Sequence, residues 1–334
     1  MKLEHKLKLL LILMIILTVS CIQQDKNIVH SDFVVIKDAD SEKNLSRSNL
    51  LYKSMKKIFE KSNIRLDYLD INSSFSFEDE MQRQIKDFGR KFIFILTDYP
   101  EDKLVQIATQ NPKINFIVLR NIPVDTSIHN KLQNIKYITF DNQKIIKQLA
   151  YIAAYWVESK EGEQGKIAFL YDERSFYYQY QNAFMSGVRE FNNDYQRNIS
   201  IINVNLENQY QAQAMDNLFD KLIKQNSVVY FIASDKEYFT ILKKIQTIRQ
   251  YSIGLETDLF YNKPEFQDII LISENTDYEL IGTTILDAVN SGQIQNLDIS
   301  ISPEKQLVKL SPFHNFDTGI SNDVKNKLRV SLFQ

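Results

Sequence analysis

The chain has 334 residues, 44% of them hydrophobic, 12% aromatic and 25% charged, with a formal net charge of −2. That balance excludes a disordered chain, and the lack of a basic tract excludes the electrostatic footprint of a nucleic-acid binder. The single cysteine, Cys21, excludes a disulfide framework.

The N-terminus comes first. Met1 to Lys8 carries Lys2, Lys6 and Lys8 against Glu4, and Leu9 to Val19 is an unbroken apolar run. The run falls short of the about 20 residues a spanning helix needs and suits the h-region of an export signal. Ser20 then precedes Cys21. This order resembles a bacterial lipoprotein signal, with Thr18 where the consensus usually has Leu. The resemblance implies that residues 1–20 are removed and that Cys21 bears acyl chains, mooring an exported protein to the cell membrane or outer surface. An ordinary signal peptide or an anchor helix ending in Cys is the alternative. Removal leaves 334 − 20 = 314 residues and moves the charge from −2 to −4, since three lysines and one glutamate depart. Residues 21–31 read as a polar tether.

Short β-branched runs and helical patterns then alternate. FVVIKDAD (33–40) predicts a strand, NLLYKSMKKIFEKS (49–62) an amphipathic helix with Leu51, Met55, Ile58 and Phe59 on one face, and IRLDYLDI (64–71) a strand. Helix 77–89, strand 91–98, helix 100–112 and strands 114–120 and 135–141 complete a first series. A second begins with helix 143–160 and strand 166–173, continues through helix 177–191, strand 199–206, helix 210–225, strand 228–234 and helix 235–248, and reaches YSIGLETD at 251–258. Such alternation implies βαβ crossovers, hence an α/β chain with two parallel-sheet lobes flanked by helices.

No strand is followed by GxGxxG or GxxxxGK[ST], and the chain has only 8 glycines, so no dinucleotide or phosphate cradle is expected. The strand ends are acidic instead. Asp38 and Asp40 close the first strand, Asp98, Asp141 and Asp172 with Glu173 close later ones, Ser234 and Asp235 close VVYFIAS, and Glu256 and Asp258 follow SIGL. Ligands of open parallel sheets sit at the carboxyl ends of strands, so these side chains are ligand-binding candidates. An Asp or Ser between strand and helix is equally a helix N-cap, and Asp141 and Asp235 fit that reading well. Phe176, Tyr180 and Phe184, four apart, fit either stacking on a ligand or one buried helix face.

The stretches QLAYIAAYW, GKIAFLYD and YQNAFMSGVREF, with IGLETD and VKLSPFHNF farther on, resemble the basic membrane protein family in residues and spacing. Members of that family are purine-nucleoside-binding lipoproteins that feed ABC importers. The resemblance covers nearly the whole mature chain and implies a two-lobed type I periplasmic-binding-protein fold. It also implies a nucleoside-like small-molecule ligand, an ABC permease as partner, no cofactor and no catalysis. The family's topology implies residues 32–141 plus about 253–276 in the first lobe and 142–252 plus about 277–334 in the second. Residue by residue, the family's stacking Phe falls at Arg47 or Leu45 within DSEKNLSRSN, its cleft lysine falls at or near Thr276, and its ribose-binding acid becomes Glu256 with Asp258 retained. Tyr180 stands at a family Phe, with Phe176 just ahead of it. A missing ring and a missing charge imply altered specificity or a weak site.

Catalysis finds no support in the same residues. His5 leaves with the signal, His30, His129 and His314 lie far apart, and no GxSxG, HExxH, CxxC or EF-loop pattern occurs. The leading expectation is a solute-binding lipoprotein. The alternatives are a divergent relative with a lost nucleoside site, kept as a surface protein that binds host or matrix, and a sensory ectodomain.

Overall fold

The computed structural model describes residues 31–39, 41–71, 76–120, 132–297 and 299–331. The expected signal, Cys21 and most of the tether, together with Asp40, His30 and His129, lie outside the described residues. Strand β1 (Phe33–Asp38), helix α1 (Arg47–Lys61), β2 (Leu66–Ile71), α2 (Phe77–Gln82), β3 (Phe92–Ile95), α3 (Glu101–Gln110), β4 (Asn115–Arg120) and β5 (Ile135–Phe140) come first. Then follow α4 (Gln143–Glu161), β6 (Lys166–Tyr171), α5 (Gln181–Tyr195), β7 (Ser200–Asn205), α6 (Ala212–Lys224), β8 (Ser227–Ala233), α7 (Tyr238–Thr247) and β9 (Tyr251–Gly254). The last are α8 (Leu259–Asn262), β10 (Ile270–Thr276), α9 (Tyr278–Asn290), β11 (Ile299–Ile301), β12 (Val308–Leu310) and α10 (Asn322–Ser331).

Two six-stranded sheets result, in the orders β11-β5-β4-β3-β1-β2 and β12-β10-β9-β8-β6-β7. Every pairing is parallel except β10 with β12. The central strands are apolar on both faces, as βαβ layering demands: Val34, Val35 and Ile36 of β1 and all of Ser227–Ala233 are buried. Each sheet with its helices forms one lobe. The predicted amphipathic face of α1 is the buried one, with Leu51, Met55 and Phe59 inaccessible to solvent.

The chain passes between the lobes after β5, after β10 and after β11. Two main-chain hydrogen bonds tie these crossings together, from the Asp141 amide to the Ile301 carbonyl (2.8 Å) and from the Asp277 amide to the Leu307 carbonyl (2.8 Å). The family topology had placed residues 253–276 in the first lobe and about 277–334 in the second, and both placements need correction. A crossover helix returns its chain to the neighbouring strand of the same sheet; β9 therefore registers on β8 (Val229 with Tyr251), and β10 on β9. Both belong to the second sheet. The return to the first lobe comes later, with α9, which packs on α1 at Gly282 near Met55 and Ile58, and with β11 beside β5. β12 and α10 then follow in the second lobe: the α10 carbonyl of Leu328 accepts from Gln148 of α4 (3.1 Å).

Helices α4 and α5 meet backbone to side chain. A Cβ on Gly187 would lie 2.0 Å from the Lys147 carbonyl oxygen and 2.8 Å from the Ala150 Cβ. Neither atom can yield cheaply. Gly187→Ala is expected to destabilise the fold by about 1–3 kcal/mol through overpacking, whereas Gly282→Ala, whose added atom meets only the end of Ile58 at 2.7 Å, costs less. Denaturant midpoints of the two variants check the ranking.

Candidate functional site

The carboxyl ends of both sheets face one cleft, which holds a cavity of about 590 Å³. The first lobe contributes Asp38, Asp98 and Arg120, and the second Arg174, Phe176 and Asp235. Asp38 ends β1 and accepts from the Ser48 hydroxyl (3.0 Å) and from Thr97. Asp98 follows β3; burial, then the nearby Asp38 charge, push its carboxyl above the ordinary value. Asp235 is likewise pushed up, chiefly by burial. The arginines are partly spoken for: Arg120 binds Glu101 through two nitrogens (2.7 and 3.0 Å) and Arg174 binds Asp172 (3.1 Å).

Below this cavity Arg47 enters. Its position follows from capping, since the Ser46 hydroxyl accepts from the Asn49 amide (3.2 Å) and sets Arg47 as the first residue of α1. The guanidinium carbon lies 3.5 Å from the ring centre of Phe140, in the first lobe, and 4.2 Å from that of Phe176, in the second. Nε donates to Glu256 Oε1 (2.9 Å), Nη2 donates to the same oxygen and to the Tyr180 hydroxyl (3.0 Å). The other Glu256 oxygen accepts from Tyr278. Arg47 is 2% exposed and Glu256 not at all. Glu256 takes a left-handed backbone (φ 66°), an uncommon conformation for a residue with a Cβ.

A second acid lies behind the first. Glu274 of β10 accepts from Asn142 Nδ2 (2.6 Å), Thr276 Oγ1 (3.0 Å) and the Glu256 amide (3.1 Å). Burial, with the Glu256 charge beside it, pushes its carboxyl up to about 8. Around Arg47 the loop before α1 is stitched to the opposite lobe: the Leu45 amide donates to the Asp235 carbonyl (2.9 Å), the Phe239 amide to the Lys43 carbonyl (3.0 Å) and the Glu237 amide to Asn44 Oδ1 (3.0 Å). These three bonds join the two lobes across the cleft.

The expected residues divide clearly. Asp38, Asp98 and Phe176 line the cavity, while Tyr180 and Glu256 meet at Arg47. Ser234 closes the turn after β8, accepting from the Lys236 amide (3.2 Å) and sharing a hydrogen bond with Tyr210 (3.0 Å); the cavity wall there is Asp235. Asp258 caps α8 through the Phe260 amide (3.2 Å) and holds His314 Nε2 (2.9 Å), so it serves its own lobe and not the cleft. The capping reading fails for Asp235, because Glu237 precedes α7, and for Asp141, because Asn142 precedes α4. Phe140, Asn142, Glu274 and Tyr278 escaped the sequence reading. ISENTD carried the one usable signal, a charged residue inside an apolar strand. Among the described residues no group of three or more His, Cys, Asp or Glu could hold a metal ion, and no helix is long and apolar enough to cross a membrane.

Two predictions follow from the buried acids. Glu256→Gln leaves the Arg47 charge without its partner and is expected to cost about 3–5 kcal/mol in chemical denaturation, most of it recovered in Arg47→Met/Glu256→Gln. Glu274 keeps its proton to about pH 8 when folded but only to the ordinary carboxyl value of 4.5 when unfolded. The folded state therefore holds the extra proton, and stability falls as pH rises from about 4.5 to about 8 and then levels. Glu274→Gln should flatten that slope in melting temperatures measured across this range.

Comparison with known proteins agrees with this architecture. A solute-binding protein of an ABC transporter system from Aeropyrum pernix K1 superposes with a TM-score of 0.75 at 13% identity, covering 90% of each chain. A carbohydrate transporter solute-binding protein from Agrobacterium radiobacter, in complex with D-arabinose, gives 0.58 at 13% identity over 92% of this chain and 100% of the other. A transcriptional activator of the comK gene from Bacillus halodurans gives 0.65 at 15% over 90% and 96%. Such low identities establish the fold alone, the two-lobed type I periplasmic-binding-protein architecture. No curated protein matches the chain. The family model described as ABC transporter substrate-binding protein, PnrA-like, matches residues 34–330, so the chain belongs to this basic membrane protein family of ABC-transporter solute-binding proteins.

Proposed function

We propose that the protein captures a nucleoside-like solute between its lobes and passes it to an ABC permease, moored outside the cell by acyl chains on Cys21. The observation that carries this reading is the cavity of about 590 Å³ at the strand ends, walled by Asp38 and Asp98 of one lobe and Phe176 and Asp235 of the other. Its size suits a small organic molecule. Carboxylates accept hydrogen bonds from sugar hydroxyls or exocyclic amino groups, and the Phe176 ring offers apolar contact to a flat base. Binding from both lobes would favour the closed state and present one shape to a permease.

A specific observation favours a second reading. Arg47 stands where the family's stacking ring falls and binds Glu256 of the opposite lobe, which supports a relative that has lost its nucleoside site and acts as a surface protein. Thermal melts of the chain with purine and pyrimidine nucleosides separate the two. A nucleoside at 100 times its Kd adds about 2.7 kcal/mol of stability and raises the melting temperature. No shift with any nucleoside at millimolar concentration contradicts the first reading.

A further inference from the structure

The surroundings of Arg47 are those of a ligand seat. Its planar cation lies against the Phe140 ring from one lobe and the Phe176 ring from the other, its edge meets Glu256, and one nitrogen donates to Tyr180. Two aromatic rings, a carboxylate and a phenol are the groups that recognise a flat cation. Helix capping gives no reason for an arginine there. At the first position of a helix a cation faces the positive end of the helix dipole, where an acid is favoured. Helix α1 is capped by Ser46 and anchored in its lobe by Leu51, Met55 and Phe59, none of which needs the charge. The partners that do need it, Glu256 and Tyr180, belong to the opposite lobe. Glu256 is fully buried in a left-handed backbone conformation, a costly arrangement without a cation against it.

We propose that Arg47 is a specificity-determining residue: the chain's own guanidinium occupies a seat built for a planar cation, closing it to solutes and confining them to the outer cavity of the cleft. This rests on the cleft being the solute site, but it concerns only what fills the deep end. A solute carrying a guanidinium or amidinium group is therefore refused by the wild-type protein, and removing the Arg47 side chain converts the refusal into binding.

The test is chemical replacement. The full-length chain and its Arg47→Ala variant are titrated with methylguanidinium at millimolar concentration, with tetramethylammonium as a cation of the same charge without the plane. The expected result is that methylguanidinium binds Arg47→Ala at least about tenfold more tightly than wild type, raises its melting temperature, and loses both effects when Glu256→Gln is added. A folded Arg47→Ala that ignores methylguanidinium, or a wild type that binds it equally, overturns the proposal. If Arg47→Ala is too unstable to purify, because an unpaired carboxylate is left buried, the Arg47→Ala/Glu256→Gln variant is titrated with benzamide, a neutral flat amide. Binding by that variant and not by wild type supports the seat, and no binding by the folded variant overturns it. Nucleosides play no part in these titrations, so failure of the nucleoside reading and failure of this one are told apart.

Discussion

A guanidinium with almost no access to water, reaching from one lobe to a carboxylate of the other, sets the state of this molecule. Desolvating two charges is expensive, and the attraction between them repays it only if geometry and further hydrogen bonds are good. Here Arg47 has Glu256 on its edge, the Phe140 and Phe176 rings beside it, and Tyr180 on a nitrogen. Because the partners come from different lobes, that repayment is collected only when the lobes are shut. Separating them would expose the rings and leave Glu256 beside Glu274 without the Arg47 charge. The three hydrogen bonds between the loop before α1 and residues 235–239 are lost in the same step. These contacts of the chain's own side chains favour the closed arrangement, as a solute does in a two-lobed binder.

That arrangement shapes what the cleft can still do. Around Arg47 the cleft is buried and aromatic; the cavity beside it is polar and bordered by carboxylates, of which Asp98 and Asp235 are held above their ordinary values by burial and by the Asp38 charge. On the proposed reading a solute there would donate hydrogen bonds to Asp38, Asp98 and Asp235. The buried pair of acids adds a second property. Glu274 keeps its proton into neutral pH and so spares Glu256 a second negative charge beside it; with rising pH that charge appears and the folded state loses stability.

Much of the architecture was legible because period and polarity follow from layering: strands buried on two faces must be apolar runs, and the helices between them must be amphipathic. The acids at strand ends pointed to the cleft for the same topological reason, and Asp38 and Asp98 lie on it. What the chain pattern could not convey was long-range partnership. Arg47 stood out only as a missing ring; that its charge finds Glu256, 209 positions away, depends on how two lobes meet. Glu274 hid inside a strand, and nothing in the pattern singled out Phe140 or Tyr278. Asp258 misled because an acid after a strand serves a cap as readily as a ligand, and the short helix α8 that it caps was not anticipated. The placement of 253–276 failed where family topology was preferred over the local rule that a crossover returns to its own sheet.

The central claim is that the Arg47–Glu256 pair favours the closed arrangement of the lobes. The distance distribution between spin labels at Asp102, beyond β3 in the first lobe, and Glu207, beyond β7 in the second, reads this directly, with Cys21→Ser leaving the two introduced cysteines as the only thiols. The account predicts one narrow, short distance in the solute-free protein that broadens and lengthens in Arg47→Met/Glu256→Gln. A broad, long distribution in the solute-free protein, or one that the double substitution leaves unchanged, would contradict it.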